Sequence, residues 1–209
     1  ISLLPNALTY LEKYDVEPSI VDWIPNGVDG SLYSNTTLNK IKGKISVMYA
    51  GSHGLPNGLK TVIDAAKHIQ EYDNRITFRF VGEGSSKTNL QEYAAKQGVS
   101  NITFEAAIPR HRVPALLASA DILVANIPDH ELYQYGVSLN KLYEYLASGR
   151  PIALASSVAD DPVKNAGVGP VAPGDDAEGL AKIIYELALL SDDERASLGK
   201  KGKSFVEKE

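Results

Sequence analysis

The 209 residues are 44% hydrophobic and 22% charged, enough apolar material for a packed core, which excludes a disordered tail, a collagen-like chain and a disulfide miniprotein. A net charge of −5 leaves no global positive field for nucleic-acid phosphates, and the lack of cysteine removes disulfides, thiolate metal sites and cysteine nucleophiles together. No run approaches the roughly 20 apolar residues that cross a bilayer. Ile1 opens the chain and Met48 is its one methionine, which reads as a piece of a longer polypeptide.

In chain order, residues 1–40 have a texture of their own, with Trp23-Ile24-Pro25-Asn26-Gly27-Val28-Asp29 marking a turn at Asn-Gly. They read as a lead-in segment. Short apolar runs then alternate with longer stretches of helical period, the pattern of a parallel sheet wrapped by helices. Strands are predicted at 45–50, 76–81, 102–106, 122–125, 151–155 and 169–172. Helices are predicted at 58–72, 86–97, 112–119, 139–148, 158–165 and 176–190, with Gly98 and Gly149 closing two of them. Residues 41–190 thus form one α/β domain of Rossmann-like type, with helices on both faces. The polar stretch 191–209 reads as a terminal helix whose Leu198 and Phe205 need a partner surface.

Ligands of such sheets collect beyond the carboxyl ends of the strands. There the first strand runs into Gly51-Ser52-His53-Gly54, a loop able to let backbone approach a phosphate or simply to turn. The glycine spacing is not that of a dinucleotide fingerprint, and Glu83 after the second strand lies too far on for the usual ribose acid; it can equally favour the next helix start. Tyr135-Gly136-Val137-Ser138-Leu139 opens a helix that carries Lys141 and Glu144 on one face, either a ligand-facing pair or an intrahelical one. His53, His68, His111 and His130 have no metal-ligand spacing, and no serine stands in a nucleophile elbow.

Five segments in fixed order, Ile24-Pro25-Asn26-Gly27-Val28-Asp29, Tyr49-Ala50-Gly51, Phe80-Val81-Gly82-Glu83-Gly84, 118–124 (ASADILV) and 141–152 (KLYEYLASGRPI), resemble the C-terminal half of a GT-B glycosyltransferase of the retaining family 4. The closest texture is that of bacterial surface-polysaccharide enzymes. The resemblance implies one half of a two-domain cleft, a UDP- or GDP-linked sugar as donor, no metal and no cofactor besides that substrate. It further implies a glycan or lipid-linked acceptor held by an N-terminal domain, no nucleic-acid partner, and a cytoplasmic setting that allows peripheral membrane contact at its inner face. Of the two glutamates in the family motif, the ribose-binding second matches Glu144, and Gly136 stands in place of the first. Ser52 and Asn57 stand where the family carries basic residues, Lys60 being the nearest displaced lysine. The donor diphosphate is then expected on Gly51, Ser52, the N–H groups of Gly136, Val137, Ser138 and Leu139, and on His53 and Lys141, with Arg110 and Ile108 flanking the base. The losses at these positions also fit a non-catalytic nucleotide-sugar-binding subunit that kept the fold.

Overall fold

The computed structural model describes residues 1–33 and 43–208. Six strands, β1 (Ile45–Ala50), β2 (Ile76–Val81), β3 (Ile102–Glu105), β4 (Ile122–Asn126), β5 (Ile152–Ala155) and β6 (Val171–Ala172), form one parallel sheet in the order β3-β2-β1-β4-β5-β6. The order reverses between β1 and β4, the switch point of a doubly wound sheet, at whose carboxyl edge ligands of such sheets collect.

Alternation along the strands sorts side chains into two cores. Val47 and Tyr49 of β1, with Phe78 and Phe80 of β2, face helices α2 (Leu59–Gln70), α3 (Lys87–Lys96) and α7 (Ala177–Leu189). Met48 of β1, with Leu123 of β4 and Leu154 of β5, faces α4 (Val113–Ala118), α5 (Asn140–Ser148) and α6 (Pro162–Ala166). These elements are the predicted ones: β1 and β2 keep their bounds, β4 gains Asn126, and most of the others have shorter ends. The helix expected from 158 starts only at Pro162, because the buried Asp161 caps it, accepting from the N–H of Val163 at 2.8 Å, and proline is favoured in a first turn. The strand expected from 169 is cut to two residues, since Pro170 has no N–H for the ladder.

The terminal helix α8 (Asp192–Val206) begins in a capping box formed by Ser191 and Glu194 and lies against α5. Leu198 joins the first core and Phe205 the second, which supplies the partner surface both residues need. Contact is close enough that a Cβ at Gly199 would stand 1.8 Å from the Gly149 carbonyl oxygen. Lys203 crosses the same glycine and donates from Nζ to the Tyr33 carbonyl at 3.2 Å.

The lead-in residues 1–33 hold a short helix, α1 (Ala7–Leu11), and a single parallel bridge between Ser2 and Trp23. They lie across the segment that precedes α5: the Asn6 N–H donates to the Tyr135 carbonyl at 3.1 Å, and Asn26 holds Ser138 through both its backbone and its side chain. The expected boundary between lead-in and domain, at 40 and 41, falls outside the described residues, as does Glu209. Among the described residues, no helix is long and apolar enough to cross a membrane.

Candidate functional site

At the carboxyl ends of β1, β2 and β3 the strand loops stay laced together. The Gly51 N–H donates to the Val81 carbonyl at 3.0 Å, the His53 N–H to the Glu83 carbonyl at 2.8 Å, and the Gly82 N–H to the Glu105 carbonyl at 3.3 Å. Such closeness explains the glycine at 82, where a Cβ would sit 1.9 Å from the Gly51 carbonyl oxygen. Lys87 clamps the same lip, donating from Nζ to the Gly82 and Glu105 carbonyls and to the Glu83 carboxylate, each within 2.9 Å.

This lip bounds a cavity of about 310 Å³ whose other walls are Ile108 and the α4 residues Val113, Leu116 and Leu117. Its polar side is Glu144, placed by α5. The neighbouring Tyr145 fixes that helix to the end of β1, its hydroxyl accepting from the Ala50 N–H at 2.8 Å and donating to the Ala50 carbonyl at 3.1 Å. Burial raises the Glu144 carboxyl above the ordinary glutamate value, with nearby Arg110 opposing the shift. Arg110 approaches it at 4.0 Å from a side chain that is 90% exposed, a contact worth little.

The cavity therefore brings together Gly51, Ser52, Glu83, Ile108 and Glu144, with Arg110 at its rim, whereas His53, Lys141 and residues 136–139 are not part of its lining. The side chain of His53 turns inward, fully buried among Tyr49, Phe80 and Phe104 at ring separations of 5.9, 6.3 and 6.1 Å. Burial, then Lys87, depresses its pKa, so a neutral imidazole faces the core and not a phosphate. The Gly136–Leu139 segment lies against the lead-in through Gly136 and Ser138. Gly136 donates its N–H to the Tyr133 carbonyl and lies under Pro5, Val137 is buried, and Ser138 is held by Asn26. Leu139 serves as the N-cap, so α5 starts at Asn140, one residue later than the spacing predicts. Lys60 points away, over the Tyr93 ring. Lys141 and Glu144 form no pair: Glu144 faces the cavity, and Lys141 runs beneath the β1 loop to Tyr49 and Asn57.

Sequence reasoning missed Lys87, Tyr33 and Tyr145. Glu83 and Lys87 are four apart, a spacing that could have flagged the clamp. Tyr33, from the lead-in, is buried beside Glu144 and Arg110, and burial pushes its hydroxyl pKa up.

The family described as "Glycosyl transferases group 1" matches residues 44–189, more than two thirds of the chain. The chain belongs to this family. A protein of Escherichia coli (strain K12), WcaI, assigned to colanic acid biosynthesis as a glycosyl transferase, is 33% identical over 75 residues, 36% of this chain and 18% of that protein. Among solved structures, HepE of Anabaena in complex with UDP-glucose superimposes with a TM-score of 0.75 and 16% identity, over 99% of this chain and 58% of HepE. The C-terminal domain of a group 1 glycosyl transferase, LpcC from Francisella tularensis, gives a TM-score of 0.70 at 19% identity, over 88% of this chain and 98% of that domain. The group 1 chain described here thus has the fold of a GT-B C-terminal half and spans little more than half the length of HepE.

Proposed function

We propose that this chain is the donor-binding half of a retaining glycosyltransferase that moves a sugar from a UDP- or GDP-linked donor to a glycan or lipid-linked acceptor in polysaccharide biosynthesis. The observation that carries the reading is Glu144, a partly desolvated carboxylate at the wall of the cavity that the joined β1 and β2 loops bound, together with the apolar residues Ile108, Val113 and Leu116. A planar base fits the apolar wall, and ribose hydroxyls within reach of the carboxylate would make charge-assisted hydrogen bonds. The complex of HepE with UDP-glucose supports the same ligand class. On this reading the parent enzyme works in the cytoplasm, at the inner face of the membrane when its acceptor is lipid-linked.

Calorimetry with uridine and guanosine diphosphate tests it. One of the two should bind, and Glu144→Ala should weaken that binding by about 1.5–3 kcal/mol through the lost ribose contact. Absence of binding by both, or equal affinity in the variant, would remove Glu144 and its cavity from the donor site.

One observation favours a second reading, a nucleotide-sugar-binding subunit without catalysis. Where the family carries its first glutamate, a Cβ on Gly136 would stand 2.5 Å from Pro5, so the lead-in fills the space of that side chain. Donor turnover by the parent protein would exclude this reading.

A further inference from the structure

Lys141 is an ammonium without a counter-ion. Its Nζ donates to the Tyr49 hydroxyl at 3.0 Å and to Asn57 Oδ1, and lies 4.8 Å from the centroid of the Tyr49 ring. Both oxygen partners are neutral, and among the described residues Lys141 enters no ion pair. The two partners converge on one point of the cavity wall: the Tyr49 hydroxyl donates to the Ser52 carbonyl at 2.7 Å and the Asn57 amide to the same oxygen at 2.9 Å. Asn57, standing where the resembled family carries lysine, holds a lysine delivered from α5 beneath the loop.

Three titratable groups around it supply no negative charge at neutral pH. Tyr49 on β1 and Tyr145 on α5 are held protonated by burial, and His53 in the loop is held neutral. Glu144, on the same helix, faces the cavity and Arg110. A buried cation among neutral oxygens is costly and gains when an anion arrives.

We propose that the diphosphate of the donor is the missing counter-anion of Lys141, and that its binding drives a proton onto this lysine. This rests on the donor reading above. Burial lowers the Lys141 pKa to about 8, so near that pH the amine is partly neutral. A phosphate alongside favours the charged form, so the bound state holds more protons and affinity falls as pH rises through the free-state value.

The test is calorimetry of uridine and guanosine diphosphate at about pH 8 in two buffers of unlike ionisation enthalpy, where the phosphate, with its second pKa near about 6, is already ionised. Wild type should take up roughly half a proton per ligand at about pH 8 and almost none at about pH 6.5, whereas a protonating His53 would show the opposite trend. Lys141→Arg, which keeps the charge but cannot release it, should bind the diphosphate without uptake and without weakening toward alkaline pH. Lys141→Met should lose about 10- to 100-fold in diphosphate affinity and keep its affinity for the nucleoside. Binding of a diphosphate by wild type with no uptake at about pH 8, or equal uptake by the Arg variant, overturns the proposal and leaves the donor reading standing. Failure of both nucleotides to bind overturns the donor reading and this inference together.

Discussion

Glu144 stands at the cavity wall at a cost to the fold. Its carboxyl pKa is raised by burial, so the folded chain favours the protonated form more than the unfolded chain does. The sign follows: this group penalises the fold progressively as pH rises through the unfolded and then the folded pKa, and the penalty is complete above both. Glu144→Gln, which removes the charge and keeps the shape, should therefore raise the thermal midpoint by about 1–4 °C at neutral pH and leave it nearly unchanged at about pH 4, while weakening nucleotide binding. Thermal unfolding of both proteins at the two pH values checks this, and an equal gain at both would show that charge is not the cause. Tyr145 is the residue that makes the placement firm. Its hydroxyl meets a strand 95 positions earlier in the chain, a partnership no local spacing announces.

At the level of elements, the α5–α8 contact is the most sharply constrained. Alanine is ordinarily the better helix former, favoured over glycine by roughly 0.5–1 kcal/mol. Yet a methyl at Gly199 would meet the backbone of Gly149 and Arg150, which has no room to yield. Gly199→Ala is expected to cost about 1–3 kcal/mol net, and Gly27→Ala, with nothing within 4 Å, less than about 0.5 kcal/mol; urea unfolding of the two variants measures the contrast. The elements themselves were legible because hydrophobic period and glycine stops are local signals: β1 and β2 match their predicted bounds, and Gly98 and Gly149 do have left-handed backbones. The candidate site was legible in part. Glu144 and the Gly51 loop were found because they lie in recognisable runs, whereas the inward turn of His53 and the capture of Ser138 by Asn26, 112 residues apart, depend on tertiary packing. Period and spacing carry no information about which face of a loop is sealed.

On the donor reading, the whole molecule is half of a cleft, and half a cleft can hold a donor without aligning an acceptor. Holding two reactants in register can supply about 7–11 kcal/mol of a barrier. Residues 1–209 alone should therefore bind nucleotide yet give no specific sugar transfer in a radiolabelled-donor assay; robust transfer to one acceptor would contradict the two-domain reading. The latch between Lys203 and the Tyr33 carbonyl bears on assembly in time. Its two residues are separated by 170 positions, and Tyr33 packs beside Glu144 and Arg110. A ribosome delivers them roughly 10 to 30 seconds apart, at about 5–20 residues per second. The sheet can order while Tyr33 still waits for its fastener, so the wall beside Glu144 gains its last support only as α8 emerges. A nascent chain arrested before α8 would carry the strands, the glycine loops and Glu144, with the Tyr33 carbonyl still unlatched.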